Sequence, residues 1–250
     1  MAEQSRTPPR RPVLGLGKEP ELEVQPAAGM ADGPFRVTAQ NLTPGARVRL
    51  SSWLKDEKGG MFRCECYYVA DRHGVVDTAV HPSVGGDFEG VLPLGLLDQM
   101  QPVETGRRLL KRDVRLPWVV NVELHSDGAS ETPLVSRSAE RWYLGPGVTV
   151  QEVTVGRLRG RVFVPPAQFG RVPAVIDLFG SIGGCVDFRA ALLASHGFVT
   201  FALAFAQYKD LPKSLAHSAG FIKDPNAPPT PIGMDLSYFE EAARFMQQHP

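Results

Sequence analysis

The segment DLFGSIGGC, residues 177–185, has the composition of a turn that brings backbone amides close to another group. The apolar run AVIDLF stops at three glycines, and the helical pattern VDFRAALLASHG follows directly. Glycine lets the main chain approach a ligand closely, and the free N–H groups at the start of a helix bind anions. Three interpretations are open: a phosphate site, an oxyanion site, or a turn that serves only strand–helix packing.

A phosphate-binding loop would show a different spacing of glycines. Gly180 is followed by Gly183 and Gly184, which is not the order G-x-G-x-x-G, and no Walker-type lysine follows. In α/β-hydrolases, the loop after the third strand donates a backbone N–H to the negative oxygen of a tetrahedral acyl intermediate. The pattern therefore favours an oxyanion loop or a packing turn.

Four side chains near this turn or beyond it could act as a nucleophile or a base. Cys185 lies near a helix N-terminus, which lowers the pKa of a thiol, so it is the best internal candidate for a nucleophile, with packing as the alternative. Ser181 lies in the turn, where its hydroxyl is better placed to orient a group than to attack one. His196 and His217 have no serine and acid nearby in sequence, and His196 is expected to close a helix before Gly197. We identify no triad.

Two further groups could contact a substrate: Tyr208, Lys209 and Asp210 after the run FVTFALAFA, and the basic residues Arg107, Arg108, Lys111, Arg112 and Arg115. The first group is predicted at the carboxyl edge of a sheet, where α/β folds bind ligands, and a solvated turn is the alternative. From the second group, Arg108, Lys111 and Arg112 are candidates for contacts with phosphates. An exposed strand face is the alternative there.

The composition excludes several classes of protein. Lysine and arginine balance aspartate and glutamate at 27 each in 250 residues, which is unlike the basic surface of a nucleic-acid binder. No apolar run approaches the ~20 residues of a membrane-spanning helix. The N-terminus lacks the apolar core of a secretory signal, so we predict a cytoplasmic protein. Cys64 and Cys66 alternate onto one strand face and are predicted to pack there; neither a metal site nor a cofactor is predicted.

The sequence pattern predicts a flexible tail over residues 1–20, followed by two domains. Residues 21–145 alternate apolar and polar positions between short turns, which predicts an antiparallel β-sandwich. Residues 146–250 begin with a hairpin-like pair of strands. Two apolar strands follow, RVPAVIDLF and FVTFALAFA, each expected to be covered on both faces. They alternate with helices over 186–195 and 234–248, an order that predicts a parallel α/β sheet, and Leu236, Phe239, Ala243 and Met246 share one face of the second helix. Residues 216–234 are rich in proline and are predicted to be a loop.

Several segments resemble one family, in the same order along the chain from about residue 20 to Pro250: WLKDEKGGMFR, VGGDFEGVLPLGLL, LLKRDVRLP, RGRVFVPP, PAVIDLFGSIGGCVDFRAALLASHGFVTFALAFAQYKDLPKSL and LSYFEEAARFM. They are similar to the acyl-CoA thioesterase / bile acid-CoA:amino acid N-acyltransferase family. The resemblance implies an immunoglobulin-like β-sandwich followed by an α/β-hydrolase domain, here incomplete. It also implies an acyl-CoA substrate, and backbone oxyanion donors at Gly180, Ser181, Ile182 and Gly183.

The sequence departs from the family at the nucleophile. Family members carry it in a G-x-[SC]-x-G elbow after the helix that here reads YFEEAARFMQQHP, and the 250 residues contain no such elbow. We therefore expect a truncated acyl-CoA hydrolase, weakly active or inactive. The alternatives are an acyl-CoA:amino acid N-acyltransferase, with glycine or taurine as acceptor, and a non-catalytic binding or regulatory chain. A peroxisomal or mitochondrial location applies if the complete protein carries a signal not seen here. The oligomeric state stays unassigned.

Overall fold

A computed structural model of the protein describes residues 17–128, 132–179, 183–212 and 236–248. The chain divides into two compact units. The first holds the residues up to Leu110 together with Pro117–Arg141, and the second holds Lys111–Leu116 together with the residues from Trp142 onward.

The first unit is built almost entirely from β-strands. Its elements are β1 Glu21–Gln25, β2 Ala28–Met30, β3 Arg36–Gln40, β4 Arg47–Lys55, β5 Met61–Val69, β6 Val76–Asp77, β7 Ser83–Val84, β8 Glu89–Gly90, helix α1 Gly95–Asp98, β9 Gln101–Pro102, β10 Trp118–Ser126 and β11 Val135–Trp142. The strands form sheets of order β1-β3-β6, β2-β11-β10-β4-β5-β9 and β7-β8. This arrangement is compatible with the predicted β-sandwich.

Alternation of buried and more exposed positions along β5 fixes which of its side chains form the core. In β5, Phe62, Cys64, Cys66 and Tyr68 are buried while the residues between them are more exposed. Since successive side chains of a strand point to opposite faces, one register places the whole apolar set inward. The prediction that both cysteines pack on one strand face is confirmed.

The basic stretch before β10 differs from the prediction. The sequence pattern predicts a strand in the run RLLKRDVRLPWVVNVELHSDG, which starts at Arg108, but the strand begins at Trp118. A turn precedes it, in which the backbone N–H of Arg115 donates to Asp113 Oδ1 at 3.0 Å and Pro117 has no N–H to donate. Lys111 is only 3% exposed, so the alternative of an exposed strand face is wrong here.

The second unit has one mixed sheet. Its elements are β12 Thr149–Val153, β13 Arg159–Val164, a 3₁₀ turn Ala167–Phe169, β14 Ala174–Asp177, helix α2 Phe188–Ser195, β15 Val199–Ala204 and helix α3 Leu236–Gln248. The order is β12-β13-β15-β14. The first two strands form the predicted antiparallel hairpin, and β14 runs parallel to β15 with Ile176 opposite Phe201. Both predictions are confirmed.

Helices α2 and α3 pack against opposite faces of this sheet. Ala190 and Ala194 of α2 cluster with Phe163, whereas Ala242 and Met246 of α3 cluster with residues that include Val162. The side chains of adjacent residues in β13 point to opposite faces of the sheet, so Phe163 packs with α2 and Val162 packs with α3. The unit therefore has three layers.

Two details of this unit differ from the sequence prediction. Strand β14 was expected to be covered on both faces, but it ends the sheet order and its side chains are only partly buried or exposed. Helix α3 was expected to bury a stripe that starts at Leu236, yet Leu236 is 70% exposed. The buried stripe contains Tyr238 instead, because the Tyr238 hydroxyl donates to the carbonyl oxygen of Ala204 at the end of β15.

Candidate functional site

The second half of the glycine turn lies against the end of β15. The backbone N–H of Gly184 donates to the carbonyl oxygen of Ala206 at 2.6 Å. Gly183 has a φ of +74°, and a Cβ built there would lie 3.0 Å from the same oxygen. Because β14 and β15 are parallel, both end at one edge of the sheet, where α/β folds bind ligands. Gly180, Ser181 and Ile182 lie outside the described residues.

The first half of the turn is anchored to helix α2. The Arg189 guanidinium donates to Asp177 Oδ1 at 2.6 Å and to the carbonyl oxygen of Leu178 at 2.7 Å. Phe179 packs edge-on against Phe188, with ring centroids 5.6 Å apart. Contacts with α2 therefore hold the residues before the turn, and the bond to Ala206 holds Gly184 after it.

The segment after β15 has an unusual backbone. Gln207 and Lys209 have φ values of +54° and +52°, a region that residues other than glycine rarely adopt. The N–H of Gln207 donates to the Pro212 carbonyl at 2.7 Å, and that of Leu211 donates to the Tyr208 carbonyl at 3.0 Å. Backbone conformations of this kind persist where the surroundings impose them, and they occur often at functional sites.

The predicted substrate-edge residues are held by partners on β12 and β13. The Tyr208 hydroxyl donates to Glu152 Oε1 at 2.6 Å, and Lys209 Nζ lies 2.8 Å from the same oxygen. These hydrogen bonds, from Lys209 first and then Tyr208, lower the pKa of Glu152 to about 2. Asp210 pairs with Arg159 through two bonds of 2.5 and 2.6 Å. Lys209 and Asp210 are thus ion-paired and Tyr208 is hydrogen-bonded, and the contact of the three residues with substrate stays a prediction.

Arg161 connects this edge to the start of α2. Its Nε lies 3.7 Å from Glu152 Oε2, and its Nη1 donates to the carboxylate of Asp187. Asp187 is 6% exposed, and this burial raises its pKa against the opposing effect of Arg161. Glu152, Arg161 and Asp187 were missed by sequence reasoning. The available signal was the presence of charged residues in β12, in β13 and directly before α2.

Cys185 does not have the environment of an activated nucleophile. Its sulfur lies 3.4 Å from Asp187 Oδ1 and 3.5 Å from the Ala202 carbonyl oxygen, so its one S–H has two acceptors within reach. Burial, followed by the charge of Asp187, raises the pKa of the thiol. The expectation that the helix N-terminus lowers this pKa is therefore wrong, because loss of water contact has the larger effect. Packing is the role that the contacts support.

Of the two candidate histidines, the structure describes His196, which lies where the sequence predicted it. His196 is the residue after α2, and its backbone N–H donates to the carbonyl of Leu192 at 3.1 Å, which confirms that it closes the helix. The next residue, Gly197, has a φ of +92°, as expected after a helix end. His217 lies outside the described residues.

The basic candidates are divided between the two units. Arg108 is exposed and belongs to the first unit, where its neighbour Arg107 pairs with Glu104 at 2.7 Å. Lys111 and Arg112 belong to the second unit, Lys111 being buried and Arg112 exposed. These residues are therefore not one continuous basic face of a strand.

The described ranges show neither a cluster of metal-binding side chains nor a membrane-spanning helix. Among the described residues, no three histidine, cysteine or acidic side chains cluster closely enough to hold a metal ion. Within those ranges, no helix has both the length and the apolar character needed to span a bilayer.

The fold and site define a class of protein in which a mostly β unit is followed by a layered unit with a glycine turn at the carboxyl edge of a parallel pair of strands. Residues 32–155 match the family described as the acyl-CoA thioester hydrolase/BAAT N-terminal region. The chain belongs to this family of acyl-CoA thioesterases and bile acid-CoA:amino acid N-acyltransferases.

Curated relatives match along most of the chain. Human bile acid-CoA:amino acid N-acyltransferase is 41% identical over 237 residues, which cover 92% of this chain and 53% of the relative. Mouse acyl-coenzyme A thioesterase 6 is 41% identical over 234 residues, covering 92% and 51%. The chain thus spans about half the length of the curated relatives it matches. The solved structure of macromomycin aligns with 49% of this chain at 18% identity and a TM-score of 0.25, a likeness too weak to bear on fold or function.

Proposed function

We propose that this protein acts on acyl-CoA thioesters, with hydrolysis to a free fatty acid and coenzyme A as the reaction. Membership of the family supports this proposal, and one structural observation carries it. That observation is the glycine turn, which Arg189 and Ala206 hold at the carboxyl edge of β14 and β15. The strand order β12-β13-β15-β14 with its final parallel pair fits the beginning of an α/β-hydrolase domain.

The proposed role of the turn follows from the charge that develops during thioester cleavage. A nucleophile attacks the carbonyl carbon, and the carbonyl oxygen becomes negative. The thiolate of coenzyme A then leaves, and water releases the acyl group. Backbone N–H groups in Gly180–Gly183 would donate to the negative oxygen, where one lost donor costs about 3 kcal/mol. The N–H of Gly184 is already bonded to Ala206, so it is not one of these donors.

We assign the nucleophile to no residue of this chain. The 250 residues contain no G-x-[SC]-x-G elbow, and the contacts of Cys185 support packing. For a reaction of the serine-hydrolase type, we therefore expect residues 1–250 to bind acyl-CoA but to hydrolyse it at a rate close to that of buffer.

The test measures binding and turnover separately. Purified residues 1–250 would be titrated with palmitoyl-CoA by calorimetry, and released fatty acid would be followed by mass spectrometry. Binding with slow turnover is expected, and the absence of binding would contradict an acyl-CoA function. Rapid hydrolysis that survives replacement of all three cysteines would support a thioesterase but overturn the expectation of low activity.

Transfer of the acyl group to an amino acid is the second candidate. It is favoured by the similarity to human bile acid-CoA:amino acid N-acyltransferase, at 41% identity. Incubation of acyl-CoA with glycine or taurine would reveal an N-acyl product if transfer occurs. Binding without either reaction is the result expected for residues 1–250 themselves, and it agrees equally with the non-catalytic alternative.

A further inference from the structure

A pocket of the second unit lies beside Arg161. Its volume is about 160 Å³, and its lining residues are Arg112, Asp113, Val114, Arg115, Val150, Arg161 and Asp187. Val114 and Val150 also belong to the apolar cluster around α2, so the pocket lies on the α2 face of the sheet. A pocket of this volume has room for a phosphate group with some water, but not for a whole nucleotide.

The lining carries three guanidinium groups and two carboxylates, which leaves an excess of one positive charge. Both carboxylates already accept bonds from within the unit. Asp187 accepts from Arg161, and Asp113 accepts from the backbone N–H of Arg115. Arg112 and Arg115 are exposed, so a ligand from solvent can reach them.

Arginine is suited to phosphate because its planar group presents several N–H donors in a fixed geometry. Arg161 uses its Nη1 for Asp187, and its Nε faces Glu152 at 3.7 Å. A guanidinium has five N–H donors, so further donors remain on Arg161 even with these partners in place. Three such groups around one small pocket favour an anion with several acceptor oxygens.

We propose that this pocket binds a phosphate group of the coenzyme A part of the substrate. This inference rests on the proposed function and names the contact that the site makes with its substrate. Arg112 and Arg115 supply the exposed donors, and Arg161 supplies the more buried one. Arg112 is one of the three phosphate contacts that the sequence predicts, and it stays in the proposed site. The inference replaces Lys111, which is buried, and Arg108, which belongs to the first unit.

Binding of coenzyme A to residues 1–250 tests the inference without any need for turnover. Calorimetric titration would compare the wild type with Arg115→Gln and Arg112→Gln. Loss of a charge-assisted hydrogen bond is expected to weaken binding about tenfold in each variant. Arg244→Gln is the matched control, because it removes the same charge from an exposed position of α3, on the opposite face of the sheet. The control is expected to bind coenzyme A like the wild type.

Three further ligands identify the source of the phosphate. Pantetheine, which has no phosphate, should bind equally to wild type and variants. Dephospho-CoA keeps the diphosphate and lacks the 3′-phosphate, so comparison with coenzyme A shows which group the arginines contact. Binding of inorganic phosphate without any binding of coenzyme A would overturn the inference. All variants would first be checked for the wild-type unfolding midpoint.

The outcomes separate this inference from the proposed function. If coenzyme A binds with the same affinity to the wild type and to both arginine variants, the pocket is a water-filled gap and only this inference fails. If the wild type binds neither coenzyme A nor palmitoyl-CoA, the proposed function fails and the inference fails with it. Weaker binding in Arg115→Gln and Arg112→Gln, with unchanged binding in Arg244→Gln, supports the inference.

Discussion

The backbone N–H of Gly184 donates a hydrogen bond of 2.6 Å to the carbonyl oxygen of Ala206. This bond joins the turn after β14 to the end of the parallel strand β15, so two segments far apart in sequence share one edge of the sheet. The turn is also held at its beginning, where Arg189 donates to the Leu178 carbonyl.

Substitution of Gly183 by alanine should destabilise the protein more than substitution of Gly184. Both glycines have positive φ, of +74° and +81°, so each alanine is expected to cost about 1–2 kcal/mol. A Cβ at Gly183 would also lie 3.0 Å from the Ala206 oxygen, whereas one at Gly184 meets no atom within 4 Å. We expect about 1 kcal/mol of extra loss for Gly183→Ala in urea unfolding. Equal losses would show that the turn moves freely away from Ala206.

Low pH should lower the stability of the folded protein because the Glu152 carboxylate becomes protonated. The folded pKa of this carboxyl is lowered to about 2, so the stability it contributes is present above its unfolded value of 4.5 and is lost as the pH falls towards 2. Unfolding followed between pH 5 and pH 2 should therefore be less pH-dependent in Glu152→Gln than in the wild type. Glu240→Gln controls for the removal of an exposed carboxylate elsewhere in the unit. A Glu152→Gln curve parallel to the wild type would argue against the Tyr208–Lys209 contacts.

The hydroxyl of Tyr238 should contribute to the stability of the second unit. It donates to the carbonyl of Ala204, and the side chain is buried. Tyr238→Phe leaves this buried carbonyl without its partner, and we expect a loss of about 1–3 kcal/mol in urea unfolding. Tyr208→Phe is the comparison, because its hydroxyl bonds Glu152 in an exposed setting where water can replace it. The prediction is wrong if the two substitutions cost the same.

Cys185 should be slow to react and unnecessary for any turnover. Its thiol is bonded to Asp187 and Ala202, and burial raises its pKa, so little thiolate forms near neutral pH. Iodoacetamide at pH 7.5 should modify it slowly in the folded protein and rapidly in 6 M guanidinium. Cys185→Ala should leave the rate of acyl-CoA hydrolysis unchanged. Rapid labelling of the folded protein, or loss of hydrolysis in the variant, would restore Cys185 as a candidate nucleophile.

Local sequence patterns correctly predicted those features of the fold that depend on one short segment. Alternation placed Cys64 and Cys66 in the core, and the glycine after α2 adopts the expected positive φ at Gly197. Chain order was sufficient to predict the parallel pair formed by β14 and β15. The boundary near Gly145, the oxyanion role of Gly180–Gly183 and the substrate contacts of Tyr208–Asp210 stay predictions.

Periodicity alone could not decide cases in which two faces compete for burial. In α3 the sequence pattern favoured a stripe from Leu236, but a tyrosine can bury its ring while its hydroxyl bonds a free carbonyl. The carbonyl of Ala204 becomes available only once β15 has its place in the sheet. The alternating charges before Trp118 are another such case, because they fit a strand and a turn equally well, and the stretch does not form a strand.

The sequence by itself determined the family, because several segments along the chain match it in order. It also determined most strands and helices and the position of the glycine turn after β14, because each of these depends on residues close together along the chain. Only the tertiary structure decided which charges meet. Glu152 and Arg161 lie opposite each other in the β12–β13 hairpin, but Asp187, 26 residues further along the chain, meets Arg161 only because β13 and the start of α2 converge in space. Ion pairs between distant segments leave no spacing pattern in one sequence, so the charge balance of the Arg115 pocket followed only from the fold.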